Sequence, residues 1–321
     1  MLKKKIYITR KIPDIGLNML KEKFDIKVNE EDRVLTKKEI IENMDRCDGL
    51  LSLLTDTIDK EIIASNPNLK IISNYAVGYN NIDIDYASKN DIVVTNTPGV
   101  LTETTADMTW ALLMAVSRRI VESDKFVRDK KYKGWAPKLL LGKDIYGKKL
   151  GIIGLGRIGR AVARRAEGFG MEVYYNKRSP LSDKEEKELN VTYYKLDELL
   201  ERSDFITINA LLNDETHHLI GKNEFKLMKN TAVIINTARG PIINESELVK
   251  ALKKGEIAGA ALDVFEDEPA VHPELLKMNN VVLTPHTASA TTETRNKMAE
   301  IAAQNLIDFF AGNKVEHQVN L

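Results

Sequence analysis

Short hydrophobic runs alternate with amphipathic stretches along most of the chain. In the first hundred residues, apolar runs bounded by polar or turn residues are typical of buried strands. These predicted strands are Ile6–Thr9, Phe24–Val28, Gly49–Leu53, Leu69–Ser73 and Ile92–Thr95. Helices are predicted between them at Asp14–Lys23 and Thr36–Asp45, and Thr36 with Glu39 has the pattern of a capping box. Strands that alternate with helices predict parallel βαβ units.

The alternation resumes after a break in the middle of the chain. Asn96–Gly99 (NTPG) is a cluster of turn-forming residues, and one long helix is predicted over Thr102–Val121. A lysine-rich stretch, Asp129–Lys149, leads to the second series. Its predicted strands are Lys149–Gly154, Glu172–Asn176, Asp204–Asn209, Ala232–Asn236, Ile257–Leu262 and Val281–Thr284. An amphipathic helix is predicted at Thr291–Phe310. The pattern therefore predicts an α/β protein.

Composition limits the classes of protein to consider. The chain has 321 residues, 43% of them hydrophobic, and at roughly 100–200 residues per domain this predicts two domains. Because 47 basic residues balance 47 acidic ones, the net charge that drives binding to nucleic acid or anionic membranes is absent. Cys47 is the single cysteine, which excludes an intrachain disulfide and a cysteine-rich zinc site. With no signal-peptide or membrane-spanning pattern, we expect a cytoplasmic protein without a metal, a nucleic-acid partner or a membrane partner.

A glycine-rich turn follows the first strand of the second series. The segment KLGIIGLGRIG combines a strand, the G-x-G-x-x-G spacing and a helix-like run, which is the context that a dinucleotide-binding motif requires. Gly154 is expected to permit the tight turn, Gly156 to let the pyrophosphate approach the backbone, and Gly159 to let the helix pack on the strand. The helix N-terminus then stabilises the phosphate charge. The residues assigned to this part of the cofactor site are Gly154, Leu155, Gly156, Arg157, Ile158 and Gly159.

The end of the next strand predicts which cofactor is preferred. About 20 residues after the motif, an NAD-specific site carries Asp or Glu on the ribose hydroxyls. This chain has Asn176, Lys177, Arg178 and Ser179 instead. No carboxylate repels a 2′-phosphate there, and each charge-assisted hydrogen bond to it contributes about 1.5–3 kcal/mol. NADP(H) is therefore expected in preference to NAD(H), unless Lys177 and Arg178 only face solvent.

Several further motifs occur in order along the chain. They are NYAVGYNNID, NTPGVLTETTAD, IIGLGRIG, NTARG, LDVFEDEP and LTPHTASA. Arg239 precedes Glu268 by 29 residues, and Glu268 precedes His286 by 18. In these motifs and their order the chain resembles the D-isomer-specific 2-hydroxyacid dehydrogenases, and most of all their glyoxylate/hydroxypyruvate reductase branch. The resemblance implies two doubly wound parallel-sheet domains, a Rossmann-type cofactor domain and a flavodoxin-like substrate domain, with a cleft between them.

The resemblance also implies how the chain is divided and assembled. The substrate domain is expected to be discontinuous, residues 1–98 plus 288–321, and residues 99–287 are expected to form the NAD(P)-binding domain. A homodimer is expected, with Trp135 reaching the partner subunit. Its interface is expected to include the apolar side of the helix Thr102–Val121, formed by Met108, Leu112, Leu113 and Val116.

The reduction of a 2-oxo acid requires a proton donor and a cationic group for the carboxylate. His286 is the expected donor, because histidine titrates near neutral pH, and Glu268 is expected to orient its ring and favour the imidazolium. Arg239 offers a planar guanidinium to the carboxylate and carbonyl oxygens. Further substrate contacts are implied for the backbone amides of Val77 and Gly78 and for Ser289. Further cofactor contacts are implied for Leu211, Thr237, Ala238 and Asp263.

The expected activity is reduction of glyoxylate, hydroxypyruvate or a similar small 2-oxo acid to the D-2-hydroxy acid by NADPH or NADH. An alternative is an NAD-dependent D-lactate or D-3-phosphoglycerate dehydrogenase. A more distant alternative is a nucleotide-sensing binding protein similar to the related transcriptional corepressors, although their long extensions are lacking here. Formate dehydrogenases of this superfamily carry Gln at the position of Glu268, which disfavours that reaction.

Overall fold

The computed structural model describes residues 3–320, which form two compact units. One unit comprises Met1–Leu101 and Ala290–Leu321, and the other comprises Thr102–Ser289. These boundaries lie within three residues of those expected from the sequence. The assignment of one unit to substrate and the other to cofactor is a functional proposal.

The first unit is built around a five-stranded parallel sheet. Its strands are β1 (Lys5–Ile8), β2 (Asp25–Val28), β3 (Gly49–Leu53), β4 (Ile71–Tyr75) and β5 (Val93–Thr95). Their spatial order is β2-β1-β3-β4-β5, and each neighbouring pair is parallel. This is the flavodoxin-like order of a doubly wound sheet.

Helices cover both faces of this sheet. They are α1 (Asp14–Lys23), α2 (Lys37–Asn43), α3 (Lys60–Ala64), α4 (Ile84–Lys89) and the C-terminal helix Thr292–Ala311. The capping box predicted for Thr36 and Glu39 is present at the start of α2. One core contains Ile40 and Ile62 from α2 and α3, and the opposite core contains Leu20 from α1 and residues of the C-terminal helix.

The second unit contains a seven-stranded parallel sheet. Its strands are β6 (Lys149–Ile153), β7 (Glu172–Asn176), β8 (Val191–Tyr193), β9 (Phe205–Ile208), β10 (Val233–Asn236), β11 (Gly259–Leu262) and β12 (Val281–Leu283). The spatial order is β12-β11-β10-β9-β6-β7-β8. This is the Rossmann order with a seventh strand at one edge, and the order reverses between β6 and β9.

Helices flank this sheet as well. They are α5 (Thr102–Ser117), α6 (Ile120–Arg128), α7 (Arg157–Glu167), α8 (Asp183–Leu189), α9 (Leu196–Arg202), α10 (Lys222–Leu227) and α11 (Glu245–Lys254), so the C-terminal helix is α12. Helices α5 and α7 share one apolar core with the sheet, whereas α9, α10 and α11 share the core on the other face. The predicted α/β class with two doubly wound parallel sheets is confirmed.

Two predictions about the helix after residue 101 are wrong. The stretch Thr102–Val121 is not one helix, because Arg119 adopts a left-handed backbone conformation (φ 52°) that separates α5 from α6. The expectation that Leu112 and Leu113 on α5 face a partner subunit is wrong as well. Leu112 and Leu113 are 2% and 0% exposed and pack in the core of their own unit.

The segment between α5 and β6 carries several exposed apolar side chains. Trp135 is 84% exposed and lies between α6 and β6, in a stretch with no regular secondary structure. The other large apolar side chains exposed there are Ile120, Val121, Val127, Tyr132, Leu141 and Tyr146. Within residues 3–320, no helix is both long enough and apolar enough to cross a membrane.

Candidate active site

The predicted site residues of the second unit gather at one edge of its sheet. They follow the carboxyl ends of β6, β7, β9, β10, β11 and β12. Because all neighbouring strands are parallel, these ends meet along the same edge. In doubly wound sheets that edge binds ligands where the strand order reverses.

The loop from β6 to α7 has the geometry of a phosphate site. Gly154 has φ +92°, and a Cβ there would lie 2.6 Å from the Ala210 nitrogen. Gly156 has open space in front of it, since a Cβ added there would have no atom within 4 Å, and it caps α7 without a side-chain hydrogen bond. A Cβ at Gly159 would collide with the Gly154 carbonyl. The first turn of α7 carries no acidic residue, so this loop fits the pyrophosphate of a dinucleotide.

Three other residues of this loop differ in their surroundings. Leu155 is 1% exposed and its side chain lies in the core shared with α5 and α7, so only its backbone faces the loop. Arg157 is exposed at the first position of α7. Ile158 is half-buried against the same core.

The end of β7 presents two cations, Lys177 and Arg178. The side-chain amide of Asn176 donates a hydrogen bond to the Tyr194 carbonyl (2.9 Å). Lys177 is half-buried, and Arg178 and Ser179 are exposed. Within the described part of the chain, neither cation forms an ion pair with an acidic side chain. These charges therefore remain available to an anionic ligand.

His286 and Glu268 form a hydrogen-bonded pair. The His286 Nδ1 atom lies 2.9 Å from Glu268 Oε2, and their side chains are 24% and 29% exposed. Burial alone raises the pKa of Glu268, but the hydrogen bond and charge of His286, the Phe265 N–H and the charge of Arg239 outweigh it and lower that pKa below its ordinary value. An ionised carboxylate only accepts hydrogen bonds. Nδ1–H is therefore the donor, and Nε2 is the ring nitrogen that takes no part in the hydrogen bond with Glu268.

The turn that carries His286 is held by hydrogen bonds to Asp263. His286 has φ +53°, a left-handed conformation that is costly for a residue with a Cβ. Its N–H donates to the Asp263 carbonyl (2.9 Å). The Asp263 carboxylate, 0% exposed, accepts from Thr284 Oγ1 (2.6 Å) and from the N–H groups of Thr287 and Ala288 (2.8 Å each). The sequence motifs assigned Asp263 to the cofactor, and these contacts give it a structural role in the turn.

Arg239 is held by an asparagine to which the sequence motifs gave no role. Asn236, 0% exposed, accepts from the Ala238 N–H (3.0 Å) and donates to the Arg239 carbonyl (2.9 Å). The Arg239 guanidinium donates to the Ala238 carbonyl (2.7 Å). Burial lowers the pKa of Arg239 and the charge of Glu268 opposes that shift, but a guanidinium stays protonated in proteins. A signal for Asn236 existed, since asparagine at the end of a strand commonly hydrogen-bonds the turn that follows.

The remaining predicted residues differ in their exposure and contacts. The Thr237 hydroxyl lies 2.8 Å from that of Thr109 on α5, inside the unit. Leu211, after β9, is 71% exposed, and Ser289 is half-buried at the end of the second unit. Val77 and Gly78 follow β4 in the first unit.

Known proteins are similar to this chain in sequence and in fold. A family model described as "D-isomer specific 2-hydroxyacid dehydrogenase, NAD binding domain" matches residues 110–288. A glyoxylate reductase from Korarchaeum cryptofilum is 51% identical over 99% of this chain and 96% of its own length, and one from Thermococcus litoralis is 49% identical over 99% and 97%. A solved NADPH-dependent glyoxylate/hydroxypyruvate reductase from Sinorhizobium meliloti, in complex with NADP and malonate, is 33% identical with a TM-score of 0.88, covering 99% of this chain and 97% of its own.

The chain therefore belongs to the D-isomer specific 2-hydroxyacid dehydrogenase family. It is an oxidoreductase of that family, and within it the chain is similar to glyoxylate reductases. The resemblance found in the sequence motifs is confirmed.

Proposed function

We propose that the protein reduces glyoxylate or hydroxypyruvate to the corresponding 2-hydroxy acid, with NADPH as the preferred cofactor. The observation that carries the proposal is the His286–Glu268 pair, at the same sheet edge as Arg239 and the glycine loop. The similarity to glyoxylate reductases supports this substrate class. An NAD-dependent D-lactate or D-3-phosphoglycerate dehydrogenase is the alternative that the substrate panel below tests.

The chemistry follows from the protonation states in the pair. A bound nicotinamide cofactor supplies the hydride for the substrate carbonyl carbon. His286 as the imidazolium donates the Nε2 proton to the carbonyl oxygen. Its Nδ1–H remains hydrogen-bonded to the carboxylate of Glu268. The lowered pKa of Glu268 keeps that partner anionic, which stabilises the cationic ring before the transfer. Arg239 binds the substrate carboxylate and polarises the carbonyl as negative charge develops on its oxygen.

The cofactor is assigned to the second unit. Backbone N–H groups at the start of α7, from Gly156 to Gly159, bind the pyrophosphate. Lys177 and Arg178 bind the 2′-phosphate of NADPH, because they have no acidic partner within residues 3–320 and the position of the usual acid is Asn176. We assign further cofactor contacts to the loop and strand ends that carry Leu211, Thr237, Ala238 and Asp263.

We assign further contacts with the substrate carboxylate to backbone groups of the first unit. The backbone amides of Val77 and Gly78 bind it, and Ser289 contributes from the end of the second unit. These two backbone donors suit a small 2-oxo acid, because they recognise the carboxylate and leave the rest of the molecule unspecified.

We also assign the protein to a homodimer. Exposed apolar side chains concentrate on α6 and on the segment that contains Trp135, and burial of such side chains against a second copy would remove their apolar surface from water. A two-fold contact would place the same surface of both subunits together. Trp135, 84% exposed, is the residue whose burial in that contact gains the most.

A steady-state panel tests the proposed function. Glyoxylate, hydroxypyruvate, pyruvate and 3-phosphohydroxypyruvate are each assayed with NADPH and with NADH. We expect the highest kcat/KM for glyoxylate or hydroxypyruvate with NADPH. A preference for pyruvate or 3-phosphohydroxypyruvate with NADH would support the alternative, and cofactor binding without turnover of any 2-oxo acid would support a nucleotide-sensing protein.

A further inference from the structure

The turn after β4 presents two backbone donors in succession. Val77 and Gly78 are half-buried, and within residues 3–320 neither of their N–H groups donates to a backbone carbonyl or to a side chain. Backbone N–H groups without a protein acceptor require water or a ligand. Two adjacent N–H groups are suited to an anion, which is the role that the proposed function gives them.

The carbonyls of the Ala76–Val77 and Val77–Gly78 peptides accept hydrogen bonds from Thr97 and Asn96. The Ala76 carbonyl accepts from the Thr97 N–H (2.8 Å), and the Val77 carbonyl accepts from the side-chain amide of Asn96 (2.8 Å). In a planar trans peptide the C=O and the N–H point in opposite directions. The Asn96 amide therefore sets the direction of the Gly78 N–H, and the Thr97 N–H sets that of the Val77 N–H.

Asn96 is itself fixed by the C-terminal part of the first unit. It is 7% exposed, its N–H donates to the His317 carbonyl (3.2 Å), and its carbonyl accepts from the side chain of Asn305 on α12 (3.1 Å). Asn305 is 3% exposed. The Asn96 amide consequently has little freedom to turn away from the Val77 carbonyl.

A second buried asparagine completes this arrangement. Asn74, 0% exposed, donates to the Gly78 carbonyl (2.9 Å) and to the side-chain oxygen of Asn81 (3.1 Å). Asn81 in turn donates to the carbonyls of Leu53 and Asp56 (3.1 and 2.9 Å). Side chains thus bind the Val77 and Gly78 carbonyls. The N–H groups of the same two residues are then available to a ligand.

We infer that Asn96 is a positioning residue for the substrate carboxylate, because its side-chain amide orients the Gly78 N–H toward that group. The inference rests on the proposed function, which assigns the carboxylate to Val77 and Gly78. It gives the NTPG segment a role beyond that of a turn. Asn96 acts through the Val77–Gly78 peptide and does not itself contact the substrate.

The test compares glyoxylate with its methyl ester, which lacks the carboxylate charge, in the Asn96→Ala variant. We expect kcat/KM for glyoxylate to fall about 10-fold or more, mainly through KM, while kcat/KM for the ester changes little. The ratio of the two values is measured on one preparation, so it does not depend on the fraction of active enzyme. An unchanged ratio relative to the wild type would overturn the inference.

Asn66→Ala is the matched control. Asn66 is 3% exposed in the same unit and donates to the carbonyls of Met44 and Cys47 (2.8 Å each), away from the turn after β4. This variant should lose stability but keep the wild-type ratio of glyoxylate to ester. An equal fall of the ratio in Asn66→Ala would show a general structural effect and would overturn the inference.

An NMR titration separates this inference from the proposed function. Glyoxylate is added to the 15N-labelled wild type in the presence of NADP⁺, and the Gly78 amide signal is followed. We expect that signal to shift in the wild type and to shift less in Asn96→Ala, or in Asn96→Ser if the alanine variant does not fold. If the wild type fails to reduce glyoxylate, the proposed function fails, whereas a Gly78 signal that is insensitive to glyoxylate in the wild type overturns the inference.

Discussion

Replacing Asp263 by asparagine tests how the turn that carries His286 is maintained. The carboxylate accepts hydrogen bonds on both oxygens, from Thr284 and Thr287 on Oδ1 and from Ala288 on Oδ2. Asparagine keeps the shape but turns one of these oxygens into an N–H₂ donor. At least one buried N–H of the turn then faces another donor and loses its partner.

The expected magnitude follows from these contacts. A charge-assisted hydrogen bond contributes about 1.5–3 kcal/mol, and a buried group left without a partner costs about 1–3 kcal/mol. The left-handed conformation of His286 costs about 1–3 kcal/mol, which the remaining contacts of the turn must offset. Removal of the buried charge offsets part of this loss. We therefore expect the substitution to destabilise the turn by about 2–3 kcal/mol. Since about 1.4 kcal/mol corresponds to a tenfold change in rate, kcat for glyoxylate should fall about 30- to 150-fold.

The assay measures kcat, the Kd of NADPH and the hydrogen exchange of the amides of Thr287 and Ala288. We expect faster exchange at these amides together with the lower kcat. Asp204→Asn is the control, because Asp204 precedes β9 at the other edge of the same sheet and pairs with Lys229 (2.7 Å). A wild-type kcat with unchanged exchange in Asp263→Asn would refute the reasoning. Weaker NADPH binding with unchanged exchange would instead support a cofactor contact alone.

Three further predictions concern the cofactor, acid stability and assembly. Asn176→Asp combined with Lys177→Ser and Arg178→Ser should reverse the preference for NADPH in kcat/KM, and equal use of both cofactors by the wild type would contradict the assignment. Because the folded-state pKa of Glu268 lies below its ordinary 4.5, its stabilising contribution is present above pH 4.5 and is lost as the pH falls through the folded value. The difference in unfolding free energy between the wild type and Glu268→Gln, measured by urea denaturation, should therefore shrink below that pH, and a difference that grows would refute this sign. Trp135→Ala should weaken the dimer in light scattering, and a wild type that is monomeric at micromolar concentration would contradict the proposed assembly.

The second sheet was largely predictable because parallel strands are buried on both faces and appear as apolar runs. Glu172–Asn176 was predicted with the bounds that the structure has. The strand β8 and the helices α3, α4, α9, α10 and α11 were not predicted. β8, α3, α4 and α10 have three to six residues, which are too few for a hydrophobic period to appear. The break at Arg119 carries no glycine or proline, so nothing in the local sequence predicted a left-handed residue there.

In the candidate site, the residues could be selected from the sequence, but the contacts between them could not. Motif order was sufficient to select Arg239, Glu268 and His286. The hydrogen bonds from the Thr287 N–H to the Asp263 carboxylate and from the Asn96 side-chain amide to the Val77 carbonyl join residues 19 or more positions apart. Such pairings depend on which strands are neighbours, and a single sequence does not specify that.

The most direct test of the account is the reduction of glyoxylate by the purified His286→Gln variant with saturating NADPH. His217→Gln is the matched control, because His217 is exposed and matches no motif. General acid catalysis contributes about 10²–10⁴-fold, so kcat should fall by a factor of that order while the Kd of NADPH stays close to the wild-type value. Near-normal turnover of glyoxylate by His286→Gln would mean that another group donates the proton, and would contradict the assignment of the active site.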